Sequence, residues 1–240
     1  MKYKKVKKAT FLNRPNRFVA YCMVDGQQEK VHVCNTGRCK ELLVPNATVY
    51  LVEGENPARS TRYDLMVVEK QCEDGQNRLI NMDSYAPNRV AAEWLTSGAF
   101  RDDMLLVKPE TKYGNSRFDF YLEYGDPKNP TKAFMEVKGV TLEENGHASF
   151  PDAPTERGVK HLKELMEAKE KGYEAYVLFV VQMEQISSFS PNEKTHREFA
   201  KTLNKAQEAG VHILVRECKV TENTLEITKT VPCNIPQYIV

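Results

Sequence analysis

The sequence predicts a two-part chain, a small OB-like β-barrel over residues 1–82 followed by a mixed α/β domain over residues 83–240. Three observations predict it. Residues 5–82 break into six short runs of alternating apolar and polar residues, separated by Gly- and Asn-containing turns. After residue 82 the apolar spacing changes to helix-like stretches alternating with strands. Within that half, Tyr176–Val181 is an unbroken apolar run between two amphipathic helices, as expected of a strand covered on both faces.

In order, the expected barrel strands are Lys5–Leu12, Arg17–Val24, Lys30–Cys34, Thr48–Glu53, Tyr63–Lys70 and Arg78–Asn81. Asp25-Gly26 and Asp74-Gly75 supply hairpin turns, because both pairs tolerate positive φ. Asn35-Thr36-Gly37 ends the strand before it. Pro87 opens a helix to about Ser97 that carries Glu93, and Gly98 follows its end. The order continues as three strands, helix, strand, helix, strand. Asp152 and Thr155 are both placed to cap a helix that runs to Lys171. Its apolar stripe is Val159, Leu162, Leu165 and Met166, with Arg157, Lys160 and His161 off that stripe. A further helix from Thr195 to Ala209 leads to a strand Val211–Arg216, which implies a parallel pair with Tyr176–Val181.

Composition narrows the function. At 240 residues, with 41% hydrophobic and 28% charged side chains, the chain reads as an ordinary globular protein. It has no apolar run near the roughly 18 residues that cross a bilayer, so a membrane is not expected as a partner. The Lys-rich start lacks the apolar segment of a secretory signal. Six scattered cysteines fit reduced thiols and a cytoplasmic setting. Cys34-x4-Cys39 has no second ligand pair, and the spacing of His32, His147, His196 and His212 suggests no metal site. The net charge of +1 conceals an asymmetry: residues 1–20 hold seven Lys or Arg and no acid, which leaves 1 − 7 = −6 for the rest. A basic block on an acidic body suits a polyanion. Arg14, Arg17 and Arg38, with Phe18 and Tyr21, are candidates for single-stranded nucleic-acid contact on the barrel, although strand aromatics also serve as core.

The chemistry-bearing motif lies in Ser116–Leu122 and Met135–Val140. Period-two alternation sets Phe118, Phe120 and Leu122 on one face of the first strand, and Arg117, Asp119, Tyr121 and Glu123 on the other. The turn-rich Gly125-Asp126-Pro127-Lys128-Asn129-Pro130 folds the two strands into a hairpin. That hairpin brings Asp119, Glu136 and Lys138 onto one patch. Two carboxylates supply hard oxygen ligands for Mg²⁺ or Mn²⁺, and the ammonium holds an attacking water beside a scissile phosphate. Arg157, Lys160 and His161 stand near a helix N-terminus, where phosphate is favoured.

The Asp on one hairpin strand, Glu-x-Lys on the next and the helix–strand order around them resemble the PD-(D/E)xK nuclease superfamily, with Phe118 where its name has Pro. By that resemblance Glu93, on the opening helix, completes a metal set of Glu93, Asp119 and Glu136, and joins Lys138 as a catalytic residue. Over the full length the chain resembles the sugar fermentation stimulation protein A family. The matching segments are Arg14-Pro15-Asn16-Arg17-Phe18, Asn35-Thr36-Gly37-Arg38, Ser116–Phe120, Glu136–Leu142, Phe150–Gly158, Lys160-His161-Leu162 and Phe189-Ser190-Pro191. That resemblance implies an N-terminal OB-like domain, a nuclease-like C-terminal domain, non-specific DNA binding and a role in regulating sugar (maltose) catabolism. The expected DNA contacts are Arg14, Arg17, Arg38, Arg117, Arg157, Lys160 and His161. Two readings stand: a Mg²⁺- or Mn²⁺-dependent DNA endonuclease, and a DNA-binding regulator that keeps the nuclease fold without cutting. The oligomeric state, a homodimer included, is left open.

Overall fold

Inward-facing alternation builds the first half into a barrel. A computed structural model describes residues 1–35, 37–56, 58–72, 75–114 and 116–238. Its first six strands are β1 (Val6–Asn16), β2 (Val19–Val24), β3 (Gln27–Val33), β4 (Thr48–Glu53), β5 (Tyr63–Gln71) and β6 (Asn77–Asn81). They lie in the order β3-β2-β1-β4-β5-β6, and a parallel pairing of β3 with β5 closes five of them into an OB barrel. Ala20, Cys22 and Val24 on β2, with Val31 and Val33 on β3, point inward and are buried. The β2–β3 turn carries φ of 48° at Asp25 and 81° at Gly26, the left-handed pair that a tight hairpin demands. The turn expected at Asp74-Gly75 lies partly outside the described residues, since Asp74 is not among them. β1 outlasts its expected end at Leu12. Asn16 Oδ1 then accepts from the N–H groups of Phe18 and Val19 at 2.9 and 3.1 Å, turning the chain into β2.

The second half runs α1 (Ala86–Thr96), β7 (Met104–Tyr113), β8 (Ser116–Tyr124), β9 (Thr131–Val140), β10 (Leu142–Glu144), β11 (His147–Phe150), α2 (Glu156–Glu170), β12 (Glu174–Val181), β13 (Ser188–Pro191), α3 (Glu193–Glu208), β14 (His212–Val220) and β15 (Leu225–Thr230). The main sheet has the order β15-β14-β12-β9-β8-β7, and β10-β11-β13 form a small second sheet. β12 is parallel to both β9 and β14, so the expected parallel pair is present. Along β12, Val177, Phe179 and Val181 join one apolar cluster with α2 and α3, while Tyr176, Leu178 and Val180 join another with α1. Helices on both faces thus explain the unbroken apolar run, and each fully buried side chain of this kind contributes roughly 1.5–3 kcal/mol. Among the described residues no helix is long and apolar enough to cross a membrane.

Several expectations need correction. Five strands, not three, separate α1 from α2, and β13 and β15 are additional to the expected order. β7 is an edge strand with no fully buried residue, so no apolar alternation marks its place. The helix from Glu156 is capped by Thr155, whose Oγ1 accepts from Gly158 N at 3.0 Å; Asp152 does not cap it. The next helix starts earlier than Thr195, with Asn192 as its cap, and breaks helical geometry at His196. On β8, Phe118 does not share a face with Phe120. It packs on Phe134 and Tyr113, with ring centroids 5.2 and 5.6 Å away, whereas Phe120 and Leu122 face α1. Alternation therefore breaks at Asp119.

The two halves share a continuous core, since one cluster holds barrel residues such as Phe11 and Leu65 with α2 and α3 residues. Polar contacts fasten the junction. Gln182 Nε2 donates to Asn81 O, Asn81 Oδ1 and Asp83 O at 3.0, 3.0 and 3.1 Å. Lys70 of β5 donates to Glu143 Oε2 at 2.5 Å and to its carbonyl at 2.6 Å.

Candidate functional site

The break in β8 is where the polar residues gather. β8 and β9 pair from Phe120–Met135 to Tyr124–Thr131. Beyond that ladder, the N–H of Val137 donates to Asp119 Oδ2 at 2.7 Å. Asn88, in the first turns of α1, donates from Nδ2 to Asp119 Oδ1 at 2.7 Å. Glu136 points to the opposite helix, where His161 Nδ1 donates to Oε1. Lys138 Nζ meets the same oxygen at 2.6 Å. Glu136 is 4% exposed, and its Oε2 is buried with no hydrogen-bond partner. Gly139 lets these elements close up: a Cβ there would lie 2.6 Å from Gln182 Oε1 and 2.7 Å from Pro87 Cγ.

Electrostatics separate the two acids. Burial raises the pKa of Asp119 and the Glu136 charge raises it further, against the Val137 N–H, Asn88 and Lys138. Burial also acts to raise Glu136, but the His161 hydrogen bond and the Lys138 charge outweigh it and hold that carboxyl below its ordinary value. Asp119, Glu136 and Lys138 thus influence one another across a small space. One oxygen of Glu136 is doubly engaged and the other is bare. A buried bare carboxylate oxygen beside a second acid fits a hard divalent cation, which takes oxygen ligands and offsets their repulsion.

His161 is not on the solvated helix face. It is 3% exposed, and its Nε2 accepts from Arg157 Nε at 3.3 Å. With Nε2 accepting, Nδ1 carries the proton given to Glu136. The imidazole therefore connects the acid to an open cleft of about 640 Å³ lined by Lys112, Ser116, Arg117, Glu156, Arg157, Lys160 and His161. Lys160 also lies 3.7 Å from Glu164, and Arg117 lies 3.3 Å from Glu110.

Glu93 is not brought to the cluster. It is exposed and takes the Met1 ammonium at 2.6 Å, while Asn88 is the α1 residue that reaches Asp119. Arg14 is also placed differently from expectation. Its guanidinium donates to the carbonyls of Gly37, Arg38, Arg17 and Asn35 at 3.0, 2.9, 2.7 and 2.7 Å, so it organises the loop after β3. Arg17, Arg38 and Lys40 line a second cleft, of about 620 Å³, beside that loop. Phe18 is 52% exposed and lies 6.0 Å from the Arg17 guanidinium carbon. It is a surface aromatic, not core. Asn88 was not foreseen because a lone Asn in a helix carries no signal. A second group was also missed: His32, Cys34 and Asp64, which meet across β3 and β5.

Fold and site together define a class of protein, an OB barrel joined to an α/β domain that carries buried Glu136 with part-buried Asp119 and Lys138. Residues 12–82 match the family model described as the SfsA N-terminal OB domain, and residues 85–224 match the one described as the sugar fermentation stimulation protein RE domain. The chain belongs to the sugar fermentation stimulation protein (SfsA) family. It is 52% identical over 227 residues to a sugar fermentation stimulation protein homolog of Clostridium beijerinckii, covering 95% of this chain and 96% of that one. It is 54% identical over 226 residues to the homolog of Desulfitobacterium hafniense, covering 94% and 95%. Among solved structures, SfsA of Pyrococcus furiosus in complex with Ca²⁺ superposes with a TM-score of 0.84 at 25% identity, covering 98% of each chain.

Proposed function

We propose that this protein is a non-specific DNA-binding protein whose α/β domain holds a divalent cation and hydrolyses phosphodiester bonds. The observation that carries this reading is the bare, buried Glu136 Oε2 beside Asp119 and Lys138. Ca²⁺ in the complex of the Pyrococcus relative supports a hard-cation site in this family. Asp119 and Glu136 would hold Mg²⁺ or Mn²⁺. Once bound, that ion would act as a Lewis acid and lower the pKa of its water. The chain's own groups do the rest. Asn88 and the Val137 N–H fix the Asp119 carboxylate. Lys138 supplies a positive charge for the developing phosphate charge. Arg157, Lys160 and Lys112 line the cleft along which a strand would lie. On the barrel, Arg17, Arg38 and Lys40 with the exposed Phe18 combine cations and a stacking surface, as single-strand sites do.

A DNA-binding regulator that does not cut is favoured by a different observation. Glu136 Oε1 is already engaged by Lys138 and His161, and Glu93 stands apart from the acids. A link to sugar catabolism rests on the family's name alone. The deciding assay incubates purified protein with end-labelled single- and double-stranded DNA in Mg²⁺, Mn²⁺ or EDTA. Metal-dependent cleavage that Glu136→Gln abolishes supports the nuclease. Retarded but intact DNA under every condition supports the regulator.

A further inference from the structure

The seam that closes the barrel carries a ligand set that the proposed function does not use. β3 and β5 pair over only Val31–Tyr63, His32–Asp64 and Val33–Leu65. His32 and Asp64 are direct partners there, and Cys34 follows β3. His32 Nδ1 lies 2.9 Å from Asp64 Oδ1 and 3.4 Å from Cys34 Sγ, and Sγ lies 3.8 Å from Oδ1. Among the described residues, this is the one group of three such side chains whose ligand atoms all fall within 4.8 Å of one another. Tetrahedral zinc bonds of about 2.0–2.3 Å require ligand-to-ligand edges of roughly 3.4–3.6 Å. All three observed edges lie within about 0.5 Å of those values.

The same geometry argues against nucleophilic catalysis. A Cys–His–Asp relay needs thiol and carboxylate on different ring nitrogens. Here both face Nδ1. What the three atoms share is a single point between them, and a positive charge already sits beside it. Arg59 donates from Nη1 to Asp64 Oδ2 at 2.7 Å and from Nη2 to Oδ1. His32 is 38% exposed by its side chain, so the point is open to solvent.

We propose that His32, Cys34 and Asp64 form a site for a borderline divalent ion of the Zn²⁺ class, which pins the β3–β5 seam. Thiolate and imidazole select Zn²⁺ over Mg²⁺, Mn²⁺ or Ca²⁺, so this site differs in metal from the acid cluster. Binding converts the Cys34 thiol to thiolate and releases its proton to solvent. Water fills the fourth position. Arg59 holds Asp64 in the metal-free protein and competes with the ion. The Cys34 carbonyl accepts from Ser84 N at 3.1 Å and from Ser84 Oγ at 2.5 Å, so the site adjoins the segment that enters α1.

The test adds Co²⁺, and separately Zn²⁺, to the full-length chain prepared free of metal. A thiolate-to-Co²⁺ charge-transfer band should appear in wild type and in Glu136→Gln, and be lost in Cys34→Ser and His32→Gln. Arg59→Gln should bind Co²⁺ more tightly, by about 10-fold or more, because it removes a positive charge beside the ion and a competitor for Asp64. Zn²⁺ should raise the Tm of wild type and not of Cys34→Ser. The proposal is overturned by no band in wild type, or by a band that survives Cys34→Ser and so arises from another cysteine. If either ligand variant loses its fold, Arg59→Gln, which removes no ligand, decides: unchanged affinity sinks the proposal.

Discussion

Asn88 Nδ2 donates to Asp119 Oδ1 at 2.7 Å, so helix α1 supports the acid cluster through an amide rather than through a carboxylate. The contact holds one oxygen of Asp119 while Val137 N–H holds the other. An anchored carboxylate presents remaining lone pairs to a cation without rotating. Asn88→Ala should therefore weaken Mn²⁺ binding by about 10- to 100-fold, and Glu93→Ala should leave it unchanged. Isothermal titration of both variants checks this, and a larger loss from Glu93→Ala would return that residue to the site.

Glu136 and Lys138 divide the charge of the site. Glu136→Gln removes negative charge that repels phosphate, so metal-free DNA binding should stay equal or tighten while cleavage disappears. Lys138→Ala should keep the metal but slow cleavage by about 10²–10³-fold, the usual cost of losing one group that stabilises developing charge. Single-turnover rates with separate DNA-affinity measurements distinguish the two effects.

The arginines of the barrel should behave differently from one another. Arg17→Ala and Arg38→Ala should weaken binding to all DNA sequences alike, each flattening the salt slope by about one. Arg14→Ala should instead lower thermal stability, because hydrogen bonds to a charged group contribute about 1.5–3 kcal/mol. Loss of DNA affinity in Arg14→Ala without a change in Tm would contradict its structural role.

The junction between the halves should be acid-sensitive. Burial acts to raise Glu143, but the Lys70 hydrogen bond, the Gly146 N–H and the charges of Lys70 and Arg78 hold its carboxyl below the ordinary value. A depressed folded pKa means stability that is complete above the ordinary glutamate value and lost as pH falls through the folded one. Glu143→Gln leaves part-buried Lys70 without its counter-ion, a loss that should stay below the roughly 3–5 kcal/mol of a fully buried pair because water still reaches the ammonium. Denaturant titrations should show that gap at neutral pH and a narrowing gap in acid. A constant gap would remove the ion pair as its cause.

By itself the sequence determined the elements whose burial is periodic. The barrel strands, the hairpin of β8 and β9, the doubly covered β12 and the helices α1 and α2 all follow from apolar spacing and turn residues that act over a few positions. It also marked Asp119, Glu136 and Lys138, because a two-residue strand period sets Glu136 and Lys138 on one face without reference to anything distant. Tertiary structure decided the rest. β7 is exposed and carries no period to read. His161 was placed among the solvated cations by its helix position, yet β9 turns it into the buried partner of Glu136. Arg14 turns its guanidinium to four nearby carbonyls that only the closed loop assembles. Asn88 with Asp119, and His32 and Cys34 with Asp64, are 31, 32 and 30 positions apart. Contacts at that separation depend on which strands and helices pack together, and local spacing holds no record of that choice.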